Sequence, residues 1–364
     1  MTEQNSILAD EAIALLKQLI ATPSFSKEEH GTAGILCLFF ARKMIPHFRV
    51  GNNVFACNKY FDESKPSVLL NSHHDTVKPN KGYTLNPFEP VEREGKLFGL
   101  GSNDAGGCLV SLAATFVHFY ERDNLPYNIV FAASAEEEIS GKNGIEYLLQ
   151  DPTFNPAGRN WAFAIVGEPT QMQMAVAEKG LMVLDAVANG KAGHAAREEG
   201  ENAIYKAIGD IEWFQTHRFP KVSELLGPVK TSVTVIQTDN TAHNVVPAQC
   251  RFVVDVRVNE LYTLEEVLEI IRENVQSDVQ PRSLRLRSSG IALTHPLVQA
   301  GIQLGRTYYG SPTTSDQALI PFTSLKIGPG DSARSHTADE YIYIHEIKEG
   351  IELYIRLIEE VSRQ

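Results

Sequence analysis

The sequence lacks any close pair of cysteines. Cys37, Cys57, Cys108 and Cys250 are its four cysteines and form no CxxC, which excludes a disulfide scaffold and reads as reduced thiols of a cytosolic protein. It also lacks a basic excess: 33 Lys and Arg stand against 45 Asp and Glu, a formal net charge of −12. Such a chain repels phosphate backbones and anionic lipid, so neither nucleic acid nor membrane is expected as a partner. No apolar run reaches the roughly 18 residues needed to cross a bilayer. The opening residues carry neither the basic nor the apolar region of a signal peptide. No G-x-S-x-G elbow and no GxxxxGK[ST] loop occurs, which disfavours serine hydrolases and P-loop enzymes. Internal repeats and low-complexity segments are missing too. The expectation is a cytoplasmic globular protein.

What is present is ordinary in bulk: 364 residues, 43% hydrophobic and 21% charged. That length predicts two or three domains at about 150 residues each. Leu8, Ala12, Leu15, Leu16, Leu19 and Ile20 recur at helical spacing, predicting a helix from about residue 7 to 21 that ends before Pro23. Ser67–Asn71, Asn128–Ala133 and Trp161–Val166 are short and apolar almost throughout, as strands buried on both faces of a mainly parallel sheet are. After about Ala175 the pattern loosens to alternation. Gly180–Asn189, Ser232–Gln237 and Gln249–Val258 read as strands; Glu201–Thr216 and Thr263–Gln276 read as helices, the second opened by a Thr263/Glu266 capping box. This order predicts a ferredoxin-like α+β unit over 177–288. It would be inserted into an α/β domain of residues 1–176 and 289–364, which closes on a helix with Ile347, Ile351, Tyr354, Ile358 and Val361 on one face.

Chemistry sits at the strand ends. Ser67–Asn71 runs into Ser72-His73-His74-Asp75, Asn128–Ala133 into Ser134-Ala135-Glu136-Glu137-Glu138, and Trp161–Val166 into Gly167-Glu168-Pro169-Thr170. In open α/β sheets ligands bind beyond the carboxyl ends of strands. Carboxylates converging there would repel one another, and a divalent cation is the simplest neutraliser. Glycine-rich loops add Asp104 and His336. Imidazole nitrogen and carboxylate oxygen without thiolate suit Zn²⁺, with Co²⁺ or Mn²⁺ as substitutes, better than Mg²⁺ or Ca²⁺. Each motif alone has a plainer reading: a satisfied turn for His-x-Asp, a solvated face for the glutamate run. A nicotinamide site is disfavoured because Asp104 stands where the third glycine of a dinucleotide fingerprint belongs.

Together the segments 72–75, 99–107, 136–138, 167–170 and 335–340 resemble the five signature blocks of the M20 family of di-zinc aminoacylases and carboxypeptidases. Gly190-Lys191-Ala192-Gly193-His194-Ala195-Ala196 and Asn244-Val245-Val246-Pro247 match as well. The resemblance implies a zinc-dependent exopeptidase-like catalytic domain with an inserted lid and dimerisation domain. It further implies two Zn²⁺ per subunit, with Co²⁺ a possible substitute. His73 and Glu168 would hold one ion, Glu138 and His336 the other, and Asp104 would bridge them. Asp75 would orient His73, and Glu137 would be the general base. His194 would reach into the partner's site of a homodimer and steady the oxyanion. Arg257 occupies the place of an arginine that takes the substrate's α-carboxylate, with a surface salt bridge as the alternative; Lys179 and Asn244 are further specificity candidates. Glu136 would be a flank and His74 structural. The chain departs from the pattern at Gly106, where relatives usually carry Lys or Arg, and at Arg197-Glu198-Glu199-Gly200, which lacks the usual proline.

Glu168 within Glu-Pro-Thr leans towards the branch of acetylornithine deacetylase and succinyl-diaminopimelate desuccinylase. The expected activity is therefore removal of an N-acyl group from an amino acid. Acetylornithine or acetylcitrulline in arginine biosynthesis comes first. A desuccinylase or dipeptidase is the alternative, and a non-catalytic metal-binding scaffold the remote one.

Overall fold

The computed structural model describes Glu3–Arg363; Met1, Thr2 and Gln364, the ends of the expected catalytic segments, lie outside the described residues. The chain divides into two compact units, one of Met1–Val176, Gly290–Tyr309 and Ser315–Gln364, the other of Ala177–Ser289 and Gly310–Thr314.

In the first unit the strands Asn128–Ser134, Ser67–His73, Trp161–Val166 and Ser324–Lys326 lie side by side and parallel. Antiparallel neighbours flank them: Asn53–Cys57 and then His47–Val50 on one side, Met174–Glu178 on the other. The sheet has nine strands in all. Period-two geometry explains why the central strands are apolar without alternation. Val68, Leu70, Ile129, Phe131, Phe163 and Ile165 pack on one face, in the core made with helices Glu3–Ile20, Gly107–Phe119 and Ile344–Ser362. Leu69, Val130, Ala132, Ala164 and Val166 pack on the other, with Phe55, Ile145 and Phe154. Phe131 stands 5.3 Å from the Phe40 ring and 6.0 Å from that of Phe116. Truncating such a ring to alanine costs about 3–5 kcal/mol.

The first helix begins at Glu3, a turn earlier than hydrophobic periodicity predicts. Its opening turn is polar, and Asn5 is buried beside His118 (3.2 Å). A small sheet of Val91–Arg93, Lys96–Phe98 and Tyr341–Tyr343, which periodicity does not reveal, carries the glycine loop that follows it.

The second unit has strands and helices in the order β-α-β-β-α-β. Its antiparallel sheet runs Lys230–Thr238, Gln249–Val258, Gly180–Asn189, Asp278–Pro281. Met182, Leu184, Ala186, Phe252, Val254 and Val256 turn into a core with residues of helices Ala203–Thr216 and Leu264–Asn274. The capping box is formed: the Glu266 N–H donates to Thr263 Oγ1 (3.1 Å) and the Thr263 N–H to Glu266 Oε2 (2.8 Å). Among the described residues no helix is long and apolar enough to cross a membrane.

Candidate metal centre

Three adjacent parallel strands end at one pole, each delivering a candidate ligand. His73 closes its strand and is buried. Its Nε2 lies 3.3 Å from Asp104 Oδ1, 3.8 Å from Glu168 Oε1 and 3.9 Å from Glu137 Oε2. On the other edge of the ring, Nδ1 stands 3.1 Å from the Asp75 carbonyl and 3.4 Å from its Oδ1. His336, held at a left-handed φ of 59°, brings Nε2 to 3.0 Å from Glu138 Oε2 and 3.6 Å from Asp104 Oδ2. Potential ligand atoms converge in two groups, His73 with Asp104 and Glu138, and His73 with Glu137 and Glu168, each within 4.8 Å.

The turn after Asn128–Ser134 explains how two consecutive glutamates reach the pole. Glu136 takes a left-handed φ of 54°, and Glu137–Ile139 form a single 3-10 turn. Asp75 pins that turn, accepting from the Glu137 and Glu138 N–H groups (3.0 and 3.2 Å) and from Ser26 Oγ (2.6 Å). Glu136 points elsewhere and accepts from Asn143 Nδ2 (2.8 Å). His74 is buried on its own side, between Thr32 Oγ1 (2.9 Å) and the Asn52 carbonyl (3.0 Å); burial lowers its pKa to about 4.

Asn103 and Glu340, inside the blocks 99–107 and 335–340 but given no role by the sequence reading, and Asp316, which lies in no block, also build this pole. Buried Glu340 accepts N–H bonds from Gly101 (3.0 Å), Asn103 (2.8 Å) and Asp104 (2.9 Å), clamping the glycine loop. The Asn103 side chain donates to the Asp331 carbonyl (3.0 Å) and accepts from the Asp331 N–H (3.0 Å), tying that loop to the one bearing His336. Asp316 is buried and accepts from Ser134 Oγ at 2.5 Å. A glutamate or aspartate in a loop reads as solvated until the partner segment, often more than 150 residues away, is known.

Burial raises Glu137 well above the ordinary carboxylate range, with the charges of Glu168, Asp316 and Glu138 adding to it against the pull of His73. Burial likewise carries Glu168 to about 8, in spite of His73 and Lys326. Hydrogen bonding to Glu138 lifts His336 to about 9. Packed carboxylates that demand protons, facing two imidazoles, form a donor set that fits divalent cations. Cys108 Sγ is turned to the Pro329 carbonyl (3.2 Å), leaving the set to nitrogen and oxygen.

The remaining candidates lie in the second unit. His194 sits in a two-residue bridge opposite Val245, exposed, and its Nδ1 accepts from the Ala196 N–H (3.1 Å). The Asn244 carbonyl accepts from the Ala195 N–H (2.9 Å). Arg257 forms the salt bridge that was its alternative reading, Nε and Nη2 to Asp255 at 2.9 and 3.0 Å, and its Nη1 donates to Thr314 Oγ1 (3.3 Å). Lys179 is buried and donates to the Pro228 carbonyl (2.6 Å).

Residues 69–360 match peptidase family M20/M25/M40, and the chain belongs to that family. It is a metal-dependent amide hydrolase of the M20 class. Succinyl-diaminopimelate desuccinylase of Rickettsia bellii (strain OSU 85-389) is 25% identical over 325 residues, 82% of this chain and 83% of the relative. Acetylornithine deacetylase of Proteus mirabilis (strain HI4320) is 27% identical over 384 residues, 95% and 96% of the two chains. The crystal structure of aminopeptidase PepT from Bacillus cereus ATCC 10987 superposes with a TM-score of 0.78 at 19% identity, over 98% and 99% of the two chains. This likeness bears out the α/β fold with its mixed, largely parallel sheet.

Proposed function

We propose that the protein hydrolyses the amide of an N-acyl amino acid, releasing a carboxylate and a free amine. The observation that carries this reading is the sharing of one pole by His73, Asp104, Glu137, Glu138, Glu168 and His336. His73 and Glu168 would hold one divalent ion, Glu138 and His336 a second, with Asp104 between them. Zinc is the metal expected, and cobalt a substitute. When bound, such ions polarise the amide carbonyl and ease deprotonation of water. Glu137 is proposed to take the proton from the attacking water and return it to the leaving nitrogen. Asp75 keeps the His73 ring and the Glu137 turn in place. His194 is proposed to steady the oxyanion from a partner subunit, and Arg257 to take the α-carboxylate with the guanidinium N–H groups that Asp255 and Thr314 leave free. Asn244 and Lys179 are proposed to add specificity. The second unit, 177–288 in the sequence reading, would then act as lid and dimerisation domain.

Two substrate readings stand side by side. The acetylornithine or acetylcitrulline reading, a cytoplasmic step of arginine biosynthesis, is supported by the Proteus mirabilis relative, which matches along nearly the whole chain. The succinyl-diaminopimelate reading is supported by the name of the Rickettsia bellii relative. A panel of acetylornithine, acetylcitrulline, succinylornithine, succinyl-diaminopimelate and a dipeptide, with Zn²⁺ or Co²⁺ added, separates them. Hydrolysis of none of the five would overturn the proposal.

A further inference from the structure

The two histidines of the pole are held in unlike ways. The His73 side chain is 1% exposed, stands at the end of a buried strand and meets Asp75 at Nδ1. The His336 side chain is 55% exposed. Its Nε2 faces Glu138 and Asp104, and among the described residues no hydrogen bond reaches its Nδ1. Its backbone takes a left-handed φ of 59°, a costly conformation for a residue with a Cβ. A ring with neither a packed socket nor a second hydrogen bond is placed through the chain on either side of it.

Arg334 secures that chain. Two residues before His336, its guanidinium forks onto Glu346: Nη1 donates to Oε2 (2.7 Å) and Nη2 to Oε1 (2.8 Å). Both side chains are largely withdrawn from water, at 15% and 18% exposed. The same guanidinium lies over the rings of Tyr341 and Tyr343, 5.0 and 5.1 Å from their centroids. These tyrosines share one face of their strand, since Ile342 between them turns into the core. On the far side of His336, Thr337 Oγ1 donates to the Arg334 carbonyl (2.7 Å). Asp331 caps the 3-10 turn Ser332–Arg334, its carboxylate accepting from the Ala333 N–H (2.9 Å) and its carbonyl from the Arg334 N–H (2.9 Å). Glu346 also accepts from the Tyr343 N–H (3.0 Å), at the start of the helix Ile344–Ser362 that packs into the main core. A continuous path thus runs from a core helix through Glu346 and Arg334 to both neighbours of His336. A planar fork that also covers ring faces is a task for a guanidinium rather than for the point charge of an ammonium.

We propose that Arg334 is a positioning residue for His336: latched to Glu346 and seated on Tyr341 and Tyr343, it fixes the imidazole where it can hold an ion together with Glu138. This rests on the reading of His336 and Glu138 as ligands of one of two divalent ions. The consequence is selective. The ion of Glu138 and His336 depends on Arg334, and that of His73 and Glu168 does not.

Arg334→Met tests this in the full chain, with Arg334→Lys, which keeps a cation over the rings, as the second variant should the first not fold. With and without Zn²⁺, hydrogen exchange at Ala333, Arg334 and Ser335, whose N–H groups bond to Asp331 and Ser332, should quicken about tenfold or more, while the strand Ser67–His73 keeps the parent's rates. Calorimetric titration with Zn²⁺ should show two equivalents in the parent protein. In the variant one of them should weaken about 10- to 100-fold, as for loss of a group that orients a ligand, and the other should hold. In a His336→Ala background Arg334→Met should weaken metal binding no further, whereas in a Glu168→Ala background the two losses should add. Unchanged exchange, equal weakening of both ions, unchanged affinity for both, or further loss on top of His336→Ala would each overturn the role. A quickened loop in a protein whose parent form takes up fewer than two equivalents keeps the latch on His336 and counts against the two-ion reading instead.

Discussion

Glu137 and Glu138 are adjacent in sequence and differ in surroundings. Glu138 is bonded to His336, while Glu137 faces His73, Glu168 and Asp316. On the proposed roles, Glu137→Ala keeps its metal and loses about 10²–10⁴-fold in kcat; turnover near that of the parent enzyme would remove Glu137 from the chemistry. Asp104→Ala should instead shed metal, because its two oxygens face different imidazoles. Elemental analysis showing full occupancy in that variant would contradict a bridging role. His74 supplies a pH effect. Its pKa of about 4 in the fold lies below the 6.5 or so of an unfolded chain, so the unfolded state binds the proton first. The contribution of the neutral ring is complete above pH 6.5 and is lost as pH falls through 4, about 3 kcal/mol over that interval. His74→Gln should flatten the dependence of denaturant midpoint on pH across this window; an unchanged slope would show that another group governs it.

At the scale of elements, the glycine loop after Lys96–Phe98 is held by an acid from the far end of the chain. Glu340→Ala removes the acceptor of three backbone N–H groups. A loss of about 3 kcal/mol or more is expected, since each buried donor left unpaired costs about 1–3 kcal/mol. Thermal unfolding and metal content should fall together; a stable variant with full metal would show the loop to be self-supporting. The same loop shows where sequence reading stops. The strands that bear the candidate ligands were legible because Val68–Leu70, Ile129–Ala133 and Phe163–Val166 are apolar on both faces, and ligands in open α/β sheets bind beyond the carboxyl ends of such strands. The Thr263 capping box was legible because its two partners lie three residues apart. Glu340 and Asp316 were not, because their hydrogen bonds span 236 and 182 residues and leave no local pattern. The sheet of Val91–Arg93, Lys96–Phe98 and Tyr341–Tyr343 went unseen because three-residue strands carry too few alternations to register.

For the whole molecule, the proposed use of His194 by a partner's site makes oligomerisation part of the activity. Lys230–Thr238 ends the second unit's sheet, with Val235 and Ile236 exposed at 42% and 53%; an unpaired strand of this kind is a template for a second copy. Mixing inactive His194→Ala with inactive Glu137→Ala and allowing subunits to exchange should restore at most about half of the parent activity, one intact site per two-fold dimer. Confirmed exchange without recovery would place His194 in its own subunit's service.

The clamp of Glu340 on the glycine loop also bears on how the protein is made. His73, Asp104, Glu138 and Glu168 leave the ribosome early, and the whole second unit is synthesised before His336 and Glu340 follow. Until then the nascent chain holds a cluster of acids with neither the second imidazole nor the group that fixes Asp104. A complete set of candidate ligands therefore comes together only after synthesis is almost finished, and a chain released short of residue 336 lacks both His336 and the closing helix Ile344–Ser362 that packs into the main core.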